Sequence, residues 1–194
     1  MKTIGLLGGS FNPVHVGHIL VAGYLSQCGP VDEVWFVLSP LNPLKSKDSK
    51  TIADECQRLR MLDIAVSSCG ISNLKVCDIE LSLPRPSYTI DTLAKLSSLY
   101  PDHTFKWIIG SDNLLSFSHW KDADEIIERY GLLVYPRPGY PIPETLPTQI
   151  QVVDAPIIEV SGSTIRDLIE KGQNVSYFLN PDVNRFIILN GLYK

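Results

Sequence analysis

What most limits the fold is the order in which two hydrophobic periods alternate along the chain. Short runs of β-formers, TIGLL (3–7), EVWFVLS (33–39), LKVCDIEL (74–81), FKWIIG (105–110), GLLVYP (131–136) and the weaker QIQVVDA (149–155), are separated by helical stretches. GHILVAGYLSQC (17–28) repeats its apolar residues at Ile19, Ala22 and Leu25 before Gly29-Pro30 ends the pattern. TIADECQRLRMLDIAVSS (51–68), TIDTLAKLSSLY (89–100), KDADEIIERY (121–130), the stretch within IIEVSGSTIRDLIEKG (157–172) and a last segment from Pro181 continue the alternation. Ser87 or Thr89 is the expected cap of the helix ending before Pro101. Strands joined through helices must run parallel, and a parallel sheet must be covered on both faces. The expectation is therefore an α/β chain: a doubly wound, Rossmann-like parallel sheet with helices on both faces, in a single domain spanning residues 1–194. Ligands of such sheets bind outside the carboxyl ends of the strands, so the loops at 9–18, 40–47, 110–120 and 136–139 should gather at one rim.

Composition narrows the function. With 44% hydrophobic and 20% charged residues and no run long enough to cross a bilayer, the chain reads as a soluble protein without a membrane partner. A formal charge of -4 opposes a surface built to coat nucleic acid, although a small phosphorylated ligand remains compatible. MKTIGLLGGS lacks the pattern of a secretory signal, and Cys28, Cys56, Cys69 and Cys77 form no CxxC pair, which suits buried thiols in a reducing cytoplasm.

In GGSFNPVHVGHI (8–19), His15 and His18 stand three residues apart where a glycine-rich loop opens a helix. Metal ligation, packing and phosphate binding are all open to such a pair. Zinc requires three or four ligands, and no further cluster at a familiar spacing supplies them, so no metal ligands are assigned. Phosphate binding uses every part of the stretch: glycines admit a ligand to the backbone, a helix start offers unpaired N–H groups, and imidazoles add donors. Neither GxGxxG nor GxxxxGK[ST] occurs. Late in the chain, VSGSTIRDLI (160–169) places Ser161, Ser163 and Thr164 at a helix opening with Arg166 in its first turn, again an anion site.

Taken together, GGSFNPVHVGHI resembles the HxGH signature of a nucleotidyltransferase superfamily, and VSGSTIRDLI resembles its ISSTxIR signature. Within that superfamily RPSYTIDTL (85–93), IIGSDNLLSFSHWKDADEI (108–126) and VYPRPGY (134–140) are similar to the SYTxDTL, GxD...W and RPG segments of bacterial nicotinate mononucleotide adenylyltransferases. The likeness spans nearly the whole chain. It implies AMP transfer from ATP, brought in with Mg2+, to nicotinate mononucleotide. His15, His18, Lys45 and Arg166 would be catalytic; Gly8, Gly9, Ser10, Phe11, Ser163 and Thr164, with Arg166, would bind the triphosphate; Asn12, Thr89, Asp112, Trp120 and Arg137 would bind the acceptor. In the resemblance Thr89 holds the pyridine ring near its turn, Trp120 stacks on it, and Asp112 meets a ribose hydroxyl. The sequence departs from the pattern twice. Asn12 stands where the family often has aspartate, and SPLNPLKSK replaces the NPPHK type of loop, leaving Asn42, Pro43 and Lys45, with Lys47 as substitute, but no histidine. Rival readings are the same transfer to nicotinamide mononucleotide or phosphopantetheine, and a sensor that binds ATP without turnover.

Overall fold

The computed structural model describes residues 1–40 and 52–194. Six strands form one sheet: β1 (Lys2–Gly9), β2 (Glu33–Leu38), β3 (Leu74–Cys77), β4 (His103–Gly110), β5 (Leu132–Tyr135) and β6 (Ile150–Val152), in the order β3-β2-β1-β4-β5-β6. Every pairing is parallel, with Leu6 of β1 opposite Trp35 on one side and Trp107 on the other. The chain winds outward from β1 in one direction and then, from β4, in the other. The connections that leave the carboxyl ends of neighbouring strands β1 and β4 thus run to opposite sides, where a doubly wound sheet opens a crevice.

Side-chain alternation builds a separate core on each face. Val34, Phe36 and Leu38 of β2, with Leu7, Ile108 and Leu133, pack against α1 (Val16–Cys28), α2 (Glu55–Ser68), α6 (Gly162–Glu170) and α7 (Pro181–Leu189) through Leu25, Met61, Ile165 and Val183. On the opposite face Ile4, Leu6, Trp35, Val37, Phe105 and Trp107 meet α3 (Thr89–Leu99) and α5 (Ala123–Arg129) through Leu93, Leu96 and Ile126. A short α4 (Ser111–Leu114) and a 3-10 turn (Phe117–His119) lead from β4 towards α5. The doubly wound expectation therefore holds, down to the weak sixth strand.

Three local expectations need correction. The third strand stops at Cys77, and Ile79–Ser82 forms a 3-10 turn instead of continuing it, because Glu80 turns inward to 5% exposure. Helix α3 is capped by neither Ser87 nor Thr89: Tyr88 holds the cap position and Thr89 is the first helical residue. The Ser87 hydroxyl instead donates to Glu80 Oε2 at 2.8 Å, while Thr92 donates to Oε1 at 2.9 Å. Among the thiols, Cys77 is buried but Cys28 and Cys56 are exposed. No helix among the described residues is long and apolar enough to cross a membrane.

Candidate active site

At the carboxyl end of β1 the chain leaves the sheet through Ser10 and Phe11, the latter in the left-handed region at φ 42°. Buried Arg58, 1% exposed, fixes this loop from α2: its guanidinium donates to the carbonyls of Ser10 (2.8 Å), Ser39 (2.8 Å), Pro40 (3.0 Å) and Ala53 (3.1 Å). The loop after β1, the end of β2 and the approach to α2 are thereby tied to one cation whose donors are met by carbonyl oxygens.

His15 occupies the cap position of α1 with extended backbone, and its N–H donates to His18 Nδ1 at 3.2 Å. The two rings stack with centroids 3.7 Å apart and planes inclined by 26°. Accepting at Nδ1 fixes the neutral His18 tautomer with its proton on Nε2. Burial, reinforced by the positive charge of Arg137, pushes the His15 pKa down to about 4, so this imidazole is uncharged at neutral pH. The edge of Phe11 meets His18 at 5.0 Å and completes the packing around the pair.

The N-terminus of α6 closes the other side. Ser161 caps it, accepting the Thr164 N–H at 3.1 Å, and its hydroxyl lies 2.8 Å from those of Ser163 and Thr164. Arg166 Nη1 donates to the Asn12 carbonyl at 2.8 Å, joining the two signatures directly. Such proximity requires glycine at position 162, where a Cβ would stand 2.7 Å from the Asn12 oxygen. The third wall comes from β4 and β5. Asp112 Oδ1 faces Arg137 Nε at 3.8 Å; Ser111, which donates to the Tyr140 carbonyl and accepts the Arg137 N–H, holds the loop after β5 against α4.

These walls enclose a cavity of about 300 Å3 whose lining includes Gly8, Gly9, Ser10, Phe11, Asn12, His15, His18, Asp112, Arg137, Ser161, Ser163 and Arg166. Buried atoms without a hydrogen-bond partner among the described residues include His15 Nδ1, Asp112 Oδ1 and Arg166 Nε, all on residues of this lining. Buried polar groups seldom remain unpaired; His103 Nδ1, Trp120 Nε1 and Tyr130 OH are unpaired elsewhere, but the three on His15, Asp112 and Arg166 face one cavity, where a polar ligand can supply their partners together.

Not every expected residue lines this cavity. Thr164 is not part of its lining and is bonded to Ser161, which is. Thr89 and Trp120 lie outside its lining, but their segments meet each other: Lys121 pairs with Asp91 at 3.0 Å and stands 5.0 Å from the centre of the Tyr88 ring. Asn42, Pro43, Lys45 and Lys47 fall outside the described residues. Asn12 lines the cavity, yet its Oδ1 is engaged inward, accepting the Ala53 N–H at 3.2 Å and the Tyr193 hydroxyl at 2.7 Å. Sequence reasoning missed Arg58, Glu80, Ser111 and Tyr193. The only signal for Arg58 was a cation on the apolar stripe of α2, beside Met61 and Leu62. No group of three or more His, Cys, Asp or Glu side chains among the described residues could hold a metal ion.

Residues 6–168 match the model of the cytidylyltransferase-like family. A Bacteroides fragilis protein described as a probable nicotinate-nucleotide adenylyltransferase is 42% identical over 185 residues, which cover 95% of this chain and 90% of that one. A Flavobacterium johnsoniae protein of the same description is 40% identical, with 98% of each chain covered. In fold, the chain is similar to the Plasmodium falciparum nicotinic acid mononucleotide adenylyltransferase complexed with NaAD, at a TM-score of 0.83 and 22% identity over 100% of this chain and 98% of that chain. With its two signatures joined around one cavity and its length shared with these relatives, the chain belongs to the cytidylyltransferase-like family, alongside the nicotinate-nucleotide adenylyltransferases.

Proposed function

We propose that this protein transfers AMP from ATP to nicotinate mononucleotide, forming nicotinate adenine dinucleotide and pyrophosphate in NAD biosynthesis. The observation that carries the reading is the Arg166–Asn12 bond, which brings the N-terminal histidine loop and the Ser-Thr-Arg helix start to one polar cavity. Relatives about as long as this chain, 42% and 40% identical to it, carry the same activity in their names.

The chemistry needs little from the protein beyond alignment and charge stabilisation. An oxygen of the acceptor's phosphate, already ionised at neutral pH, attacks the α-phosphorus in line. The bond from that phosphorus to the bridging oxygen breaks, and pyrophosphate leaves with the electron pair. No covalent enzyme intermediate forms and no general base is required. In this reading His18 directs its Nε2–H at the α-phosphate, where negative charge grows, and neutral His15 orients it by stacking and through its backbone N–H. Arg166, Ser163 and the N–H groups opening α6 receive the departing phosphates, with Lys45 joining them. Mg2+ would enter with the ATP substrate and offset negative charge on its phosphates. Asp112 accepts from a ribose hydroxyl of the acceptor and Arg137 lies beside it. Trp120 offers its ring face to the pyridinium, with Thr89 on the neighbouring turn. The site of action in the cell is the cytoplasm.

A panel of nicotinate mononucleotide, nicotinamide mononucleotide and phosphopantetheine, each mixed with ATP and Mg2+, tests the reading by pyrophosphate release and product chromatography. The expected result is a strong preference for the carboxylated mononucleotide. Equal or greater turnover of either alternative would reassign the acceptor, and ATP binding without pyrophosphate release would make the protein a sensor.

A further inference from the structure

From the hydrogen bonds that converge on Asn12 we infer that Tyr193 is a positioning residue for the triphosphate grip. Its hydroxyl locks the Asn12 side chain, and through it the carbonyl that holds Arg166. The inference rests on the adenylyl-transfer reading only in taking the cavity as the seat of ATP.

Asn12 is the joint of the site. Its backbone oxygen accepts Arg166 Nη1 at 2.8 Å, and its side-chain oxygen accepts Tyr193 OH at 2.7 Å and the Ala53 N–H at 3.2 Å. Asn12 and Tyr193 are 6% and 8% exposed, so these bonds form away from bulk water, where an unmet donor or acceptor is costly. Two donors on one amide oxygen also fix which way the amide faces. The anchored side chain restrains the residue's main chain, which carries the acceptor for Arg166.

Backbone strain marks the same place. Non-glycine residues with positive φ among those described are Phe11 (42°), Asp122 (52°) and Tyr193 (63°). One immediately precedes Asn12 and another is its hydroxyl partner, so left-handed backbone is held on both sides of this contact. Burial raises the phenol's pKa against the opposing pull of Arg166 and Arg58, the cations that face it, so the hydroxyl remains a donor throughout the neutral range. The Tyr193 ring fills a buried position in the core beneath α7. Its hydroxyl is therefore separable from its packing.

Tyr193→Phe removes the hydroxyl and keeps the ring. Calorimetric titration of the variant with Mg2+ and ATP in the absence of acceptor is expected to show about fivefold weaker binding, the equivalent of one net hydrogen bond. The KM for nicotinate mononucleotide should stay within about twofold of wild type, a split that a merely structural role would not produce. Asn12→Ala should weaken ATP binding at least as much, and Y193F combined with N12A should bind ATP no more weakly than N12A alone, since the hydroxyl acts through Asn12. Wild-type ATP affinity in Y193F, losses that multiply in the double variant, an acceptor KM rising in step with that for ATP, or failure of Y193F to fold would each overturn the proposal. If the wild type adenylylates no acceptor in the panel, the functional reading fails by itself, while the acceptor-free ATP titration still decides the role of Tyr193.

Discussion

His18 Nδ1 accepts the His15 backbone N–H at 3.2 Å, and that bond sets which nitrogen of His18 carries its proton. The donor is the main chain of the residue that starts the helix, so the tautomer is determined by helix α1 itself and not by a neighbouring side chain that another conformation could remove.

His18→Ala should therefore lose the charge-stabilising donor while keeping the cavity walls. Removing one such donor typically costs about 2.7 to 4 kcal/mol of transition-state stabilisation, so kcat is expected to fall on the order of a hundredfold or more. Acceptor affinity, measured by equilibrium titration, should be unchanged. Near-normal turnover would remove His18 from the chemistry.

Arg166→Lys keeps a positive charge but loses the planar fork, and a lysine cannot both hold the Asn12 carbonyl and present a second, fixed donor to phosphate. Steady-state kinetics should show a raised KM for ATP and a lowered kcat, with Arg166→Ala worse in both. Identical kinetics in wild type and R166K would mean that charge alone suffices.

His15 makes stability depend on pH in a predictable direction. Its folded pKa of about 4 lies below the ordinary histidine value near 6.5, so the unfolded chain takes up a proton that the folded chain resists. The stabilisation is fully present above pH 6.5 and is lost as pH falls towards 4, by roughly 3 kcal/mol at 1.36 kcal/mol per pKa unit. Denaturant titrations from pH 7 to 4 should show a steeper decline for wild type than for His15→Gln, which has no such group to titrate. Parallel curves would contradict the burial of an uncharged imidazole.

Arg58→Met should destabilise the fold by on the order of 3 kcal/mol, because several buried carbonyls lose their donor at once. Arg58→Lys recovers part of this, as an ammonium has three donors and no planar fork. Urea midpoints of the two variants, ranked against wild type, provide the check. A stable R58M would show that the loops after β1 and β2 hold themselves in place.

The strands were legible because each has an apolar run of its own, and even short β6 announces itself through buried Ile150, with buried Val153 just after its end. That His15, His18 and Arg166 would line one cavity was legible because glycines, helix starts and charged side chains concentrate within a few residues of each other in each of the two signatures. Glu80, Arg58 and Tyr193 were not. Glu80 is one acid at the end of an apparent strand; only folding brings it to Ser87 and Thr92, and this diversion of Ser87 is also why the expected cap of α3 is absent. Asn12 shows the same limit from the other direction: its place in the loop pointed outward to a substrate, while its partner Tyr193 lies 181 residues further along the chain. Side-chain contacts of that span leave no trace in local spacing.

The span from Asn12 to Arg166, 154 residues, also orders events during synthesis. A chain emerging from the ribosome completes strands β1 to β5 by Tyr135, before any part of α6 exists. The strands that carry the first wall of the cavity are therefore synthesised well before the arginine that bonds across to it, and on the proposed reading a nascent chain would lack its full grip on phosphate until α6 has been made.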